Sequence, residues 1–207
     1  AASAGRLAQA LGAELALVDV HEFPDGEIVT YVPPPAATTV VYRSLNRPNS
    51  KLVELLLAQD AWWRAGAERL ILVAPYLCYM RQDTVDRPGA PVSQQAVGSF
   101  LSRRFDRVVT VDPHLHRTPG LSDVLPGIEA TCVSASAAVS SWIAGQPADA
   151  ILVGPDAESR QWVERLAKAD GRRWATLSKA RSGDRAVVVE GSAEVAGRPV
   201  VLVDDVC

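Results

Sequence analysis

The sequence predicts an α/β protein built on mainly parallel sheets. Short apolar runs rich in Val, Leu and Ile alternate with stretches of helical period, and most of the runs end on polar or acidic residues. Near-continuous runs of this kind suit strands covered on both faces, and strand alternating with helix implies parallel pairing.

In chain order, residues 1–13 (AASAGRLAQALGA) have the pattern of a helix, and ELALVDV (14–20) that of a strand. HEFPDGEIVT (21–30) contains Asp-Gly, a hairpin signal between 14–20 and 28–32. TVVYRS (39–44) and RLILVAP (69–75) predict strands flanking a helix over 50–65. A helix over 93–104 leads to the strand RVVTVD (107–112). Helices over 134–144 and 158–169 then alternate with the strands ADAILVG (148–154) and PVVLVDD (199–205). Two halves emerge, residues 1–118 and 119–207.

The 207 residues can bury a substantial core, and 48% apolar with 22% charged residues is an ordinary globular mix. A net charge of −3 argues against a general nucleic-acid binder. Eighteen Arg stand against only Lys51, Lys168 and Lys179, so a Lys in a polar loop is informative. Cys78, Cys132 and Cys207 show no CxxC spacing, which suggests neither a disulfide framework nor a zinc site. A reducing, cytoplasmic setting is expected. No apolar run approaches the roughly 20 residues that span a bilayer.

In open α/β sheets ligands bind beyond the carboxyl ends of the strands, so the residues following each strand belong together. These are Arg81, Gln82 and Asp83, then His114 and His116, then Asp156, and finally Asp204 and Asp205. Carboxylates and imidazole can orient Mg²⁺ and its waters, while Arg pairs with phosphate. Each also has a purely structural alternative: a solvated turn for 81–83, a satisfied loop histidine for His114, a helix cap for Asp156. Two like charges at a strand end have no structural motive, whereas a sugar diol or a metal supplies one. KARSGDRAV (179–187) is either a plain surface loop or a lid that brings Lys179 and Arg181 onto a transferring phosphate.

Taken together the motifs resemble the ribose-phosphate pyrophosphokinase (phosphoribosyl-diphosphate synthetase) family. FPDGEI resembles its F-[ST]-D-G-E segment, and the run from RPNSKLVELL to YLCYMRQD its helix–strand–ARQD stretch. VTVDPHLH is similar to its VDxH segment, ILVGPDA to PDxG, KARSGDR to the K-x-R loop and VVLVDD to the V-D-D sugar-binding strand. These six occur in the family's order across residues 21–205.

The resemblance implies two phosphoribosyltransferase-like three-layer α/β/α domains and an oligomer of dimers, commonly a hexamer. It implies transfer of the diphosphoryl group of ATP to C1 of ribose 5-phosphate with Mg²⁺, releasing AMP. By position, Phe23, Asp25 and Glu27 would reach ATP from a neighbouring subunit, and Arg81, Gln82 and Asp83 would line the nucleotide site. His114 and Asp156 would orient Mg²⁺, Lys179 and Arg181 would clamp the transferring phosphate, and Asp204 and Asp205 would hold the sugar hydroxyls. No nucleophilic Ser or Cys is required.

Pro24 replaces the family's hydroxyl residue, and Glu158 stands where a Gly often follows P-D-x. The stretch after Arg81 is short, as in the compact archaeal-like branch, from which loss of ADP or phosphate regulation is expected. In the family the V-D-D strand runs into a loop that cradles the 5-phosphate. Its absence after Cys207 suggests that the second domain is incomplete in this sequence. A non-catalytic homologue and a phosphoribosyltransferase are the alternatives. No GxxxxGK[ST] or GxGxxG appears, so an unrelated nucleotide-binding module is disfavoured.

Overall fold

The computed structural model describes residues 2–115, 117–182, 186–190 and 195–204, with 178–182 and 186–190 as backbone. It divides into two compact units, Ala1–Val133 and Ser134–Cys207. The fold is α/β with mainly parallel sheets, as the alternation of runs predicts.

The first unit opens with α1 (Ala2–Leu11) and an antiparallel hairpin of β1 (Asp19–Glu22) and β2 (Ile28–Tyr31). The strand expected over 14–20 is therefore confined to its end and pairs in the hairpin. Burial gives the reason: all four residues of β1 are exposed, so the apolar 14–20 run is not a buried sheet strand.

Four parallel strands follow, β3 (Thr38–Tyr42), β4 (Arg69–Ala74), β5 (Arg107–Val111) and β6 (Glu129–Val133), in that spatial order. They are joined by α2 (Pro48–Arg64), α3 (Ser93–Ser102) and the short α4 (Leu121–Val124). Register sets Val41 opposite Leu72 and Leu72 opposite Val108, a buried row across three strands. β4 alternates fully buried with half-buried positions, so one face meets the main core while the other is only partly covered. The amide of Leu70 donates to the Asp106 carboxylate at 2.8 Å, which ties β4 to the residue before β5.

β6 was not expected, since EATCV has too few aliphatic side chains to stand out as a run. Its parallel pairing with β5 carries the first compact unit to Val133.

The second unit contains α5 (Ser136–Ala144), β7 (Ile151–Gly154), α6 (Arg160–Asp170), β8 (Trp174–Thr176) and β11 (Val200–Leu202). Its sheet has the order β11-β7-β8, all parallel, over a core that includes Ile143, Leu152, Val163 and Val201. Between β8 and β11 lies an antiparallel ribbon of β9 (Ser178–Ser182) and β10 (Ala186–Glu190). The segment expected as a loop from residue 179 is thus strand at both ends. The Val run at 187–189 pairs with it and satisfies backbone groups that a loop would leave to water.

Arg172 closes the end of α5. Its guanidinium, with a side chain only 8% exposed, donates to the carbonyls of Ile143 at 3.0 Å, Gln146 at 3.1 Å and Pro147, and pairs with Asp170. It therefore ties the last turn of α5, at Ile143, to the two residues that follow its cap, Gln146 and Pro147. Arg172→Met keeps the stem and strips the donors, so a loss of about 2–3 kcal/mol is expected, read as a lower urea midpoint with unchanged slope.

Among the described residues no helix is long and apolar enough to cross a membrane.

Candidate active site

Parallel pairing brings the carboxyl ends of β3, β4, β5 and β6 to one edge of the first sheet. After β4 the chain turns sharply. Tyr79 adopts a left-handed conformation at φ 63°, unusual for an aromatic residue and a mark of imposed local geometry. Its hydroxyl donates to Asn49 Oδ1 at 2.5 Å, and the Gln82 amide donates to the Tyr79 carbonyl at 3.1 Å. Arg81 and Gln82 are exposed just beyond this turn.

Asp83 is different. Its side chain is only 2% exposed, and Arg117 Nη1 reaches one carboxylate oxygen at 2.6 Å while the Arg117 amide donates to the other at 3.3 Å. Arg117 and the half-buried His114 both follow β5, where Asp112 also takes a positive φ, of 37°. His116 lies outside the described residues.

Lys51 Nζ donates to the Ser44 carbonyl at 2.8 Å and to Asn46 at 2.6 and 2.7 Å, closing the loop after β3. Burial first, and then Arg43, pull its ammonium pKa below the ordinary Lys value.

Phe23, Asp25 and Glu27 occupy the exposed turn of the hairpin. The Gly26 amide donates to the Phe23 carbonyl at 2.9 Å, the β-turn that Pro-Asp-Gly predicts. Asp25 Oδ1 accepts the Glu27 amide at 3.1 Å, and the Phe23 ring meets His21 edge-on at 4.8 Å.

In the second unit β7 and β11 are parallel neighbours, so Asp156 and Asp204 follow adjacent strands at the same edge. The Val203 amide still donates to the Val153 carbonyl at 2.9 Å, which fixes the residue before Asp204. Asp156 Oδ1 accepts the amides of Glu158 and Ser159, each at 3.1 Å, and the buried Ser159 hydroxyl donates to the Asp156 carbonyl at 2.6 Å. These bonds close a turn of the chain just before α6, whose N-cap is Ser159 and not Asp156.

Gly154 permits that turn: a Cβ there would stand 2.2 Å from Ser159 Oγ. The Leu177 amide donates to the Gly154 carbonyl at 2.8 Å, so Lys179 and Arg181 follow closely on the carboxyl end of β8. Their register partners in β10 are Val189 and Val187. Asp205 lies outside the described residues.

The structure thus groups Arg81, Asp83, Arg117 and His114 in the first unit, and Asp156 and Asp204 in the second. Gln94, Arg117 and Ser159 escape sequence reasoning. A polar residue near a helix start or in a loop reads as solvated, and nothing in SQQ or RTPG marks burial.

Burial pushes the Cys78 thiol up to about 11 from its ordinary 9.0, which leaves it unsuited to nucleophilic work. The folded thiol titrates above the unfolded one, so its contribution to stability is complete below pH 9.0 and is lost as pH rises through about 11. At pH 8 iodoacetamide should label Cys78 roughly a hundredfold more slowly in the native protein than in urea, as peptide mapping would show.

Residues 2–104 match the family model for the N-terminal domain of ribose phosphate pyrophosphokinase. A ribose-phosphate pyrophosphokinase of Methanopyrus kandleri is 38% identical over 205 residues, covering 97% of this chain and 69% of the relative. One from Halobacterium salinarum is 34% identical over 206 residues, covering 98% of this chain and 72% of the relative. The crystal structure of phosphoribosylpyrophosphate synthetase from Mycobacterium smegmatis superposes with a TM-score of 0.76 at 26% identity, over 98% of this chain and 67% of that one. With 38% identity along nearly its whole length to a relative of which it covers more than two thirds, the chain belongs to the ribose-phosphate pyrophosphokinase family.

Proposed function

We propose that this chain forms the greater part of a ribose-phosphate diphosphokinase, which makes 5-phosphoribosyl 1-diphosphate and AMP from ATP and ribose 5-phosphate. The observation that carries this is the 38% identity to a ribose-phosphate pyrophosphokinase along 97% of the chain. It is supported by the placement of RQD, DPH and PDA beyond the carboxyl ends of β4, β5 and β7. The two units serve as a pyrophosphokinase-type N-terminal domain and a phosphoribosyltransferase-like C-terminal domain. They work in the cytoplasm within a dimer-based homo-oligomer, with no nucleic-acid or membrane partner.

The C1 hydroxyl oxygen attacks the β-phosphorus and gives up its proton to water, the bond from the β-phosphorus to the oxygen it shares with the α-phosphate breaks, and AMP leaves with that oxygen. Such a transfer depends on alignment and charge neutralisation more than on covalent catalysis. Phe23, Asp25 and Glu27 of a neighbouring copy hold the base and ribose of ATP, and the Arg81–Gln82–Asp83 segment serves its phosphate side. Lys179 and Arg181 neutralise the charge that develops on the transferring group. Asp204 and Asp205 accept hydrogen bonds from the 2- and 3-hydroxyls and orient C1.

His114 and Asp156 offer an imidazole and a carboxylate. The Asp156 carboxylate is a donor of the kind Mg²⁺ takes, and the His114 imidazole suits a hydrogen bond to one of the several waters that ion keeps. When bound, Mg²⁺ supplies positive charge to the diphosphate.

The deciding experiment is AMP release from ATP and Mg²⁺, with and without ribose 5-phosphate, using the full-length gene product. Sugar-dependent AMP formation is expected. A folded, ATP-binding protein that forms none would instead be a non-catalytic homologue. Asp204→Asn should raise the KM for ribose 5-phosphate about ten- to a hundredfold with a smaller change for ATP. An unchanged sugar KM would remove Asp204 from the site.

A further inference from the structure

The second residue of α3, Gln94, is only 2% exposed, yet both ends of its amide are engaged. Nε2 donates to the Met80 carbonyl at 3.0 Å, and Oε1 accepts the Thr118 hydroxyl at 2.8 Å. Its backbone amide donates to the Gln82 carbonyl at 3.0 Å. Packing alone does not call for an amide here, because an apolar side chain would fill the space without the cost of desolvating two polar ends.

One residue therefore bonds the segment after β4 on either side of Arg81, by its side chain at Met80 and its backbone amide at Gln82, and its side chain also bonds the segment after β5, beyond His114. The Asp83–Arg117 pair joins the same two segments a second time, with the carboxylate buried. Two crossings, one neutral and one charged, leave the two segments little freedom to move apart.

We propose that Gln94 and the Asp83–Arg117 pair are positioning residues that lock the nucleotide segment Arg81–Gln82 to the His114 segment as one rigid body. This assigns Asp83 to holding the site rather than touching the nucleotide, and it rests on the diphosphokinase reading for its catalytic consequence. Transfer needs the nucleotide phosphates and the metal-orienting group in register, so slack between the two segments acts on turnover more than on ATP affinity.

The test uses Gln94→Met, Thr118→Val and the double variant in the full-length protein. Thr118→Val removes the same bond from its other side, so it keeps the test open should Gln94→Met fold poorly. Amide hydrogen exchange should rise about tenfold at both Gln82 and Arg117 in either single variant, with the amides of β4 and β5 unchanged. Turnover should fall up to about a hundredfold with the KM for ATP changed by less, and the double variant should be no worse than the poorer single.

Faster exchange on one segment alone, or single effects that multiply in the double variant, would overturn the proposal. Should the unaltered protein show no sugar-dependent AMP formation, the diphosphokinase reading fails, while exchange at the two segments still decides whether they are coupled.

Discussion

Replacing Lys179 by alanine lowers turnover about a thousandfold while the melting temperature stays within a degree or so of the unaltered protein. The loss follows from the proposed chemistry. A cation next to the transferring diphosphoryl group counts most when charge is spreading over its oxygens, so its removal is felt in kcat and kcat/KM alike. The stability follows from the ribbon. β9 and β10 are joined by a backbone ladder, with Lys179 opposite Val189, and that ladder uses main-chain groups only. Steady-state AMP formation and a thermal melt on the same preparation would settle the point. Near-normal turnover would remove Lys179 from the transfer step.

Gly98→Ala is expected to destabilise the protein by about 3 kcal/mol, although helix propensity alone favours alanine by up to about 1 kcal/mol. Gly98 lies inside α3, and a Cβ built on it would stand 1.9 Å from the Val124 carbonyl oxygen and 2.9 Å from both the Val124 carbonyl carbon and Cγ1. The obstruction is mainly backbone at the end of α4, so no rotamer change removes it. Either α3 or α4 must shift, and Leu101, Val124 and Leu125, each at most 1% exposed, leave no room. A fall of about 10 °C in melting temperature is expected for a chain of this size. Propensity and packing predict opposite signs here, so a melting temperature that rises would show that the helices do not approach this closely.

Gly98 also illustrates the limit of local sequence reasoning. A Gly in the helical stretch SQQAVGSFLS lowers the apparent tendency to form a helix, and only the approach of α4 shows why it is needed. The same limit explains β6 and β8. EATCV and WAT are short and weakly aliphatic, and their strand character comes from pairing with β5 and β7. The ribbon at 178–190 is a further case, because polar KARS becomes strand through its partner AVVVE.

By itself the sequence determined the α/β class, the positions of β3, β4, β5 and β7, and the order of the motifs that follow them. These depend on apolar period and on short stretches of adjacent residues, both local properties of the chain. Only the tertiary structure decided that the division falls after Val133, that Asp83 is buried against Arg117, and that Gln94 joins the segments after β4 and β5. Each of those depends on which residues distant in sequence come within hydrogen-bonding distance. Polar side chains look alike in sequence whether water or a buried partner satisfies them, so the fold alone assigns their partners.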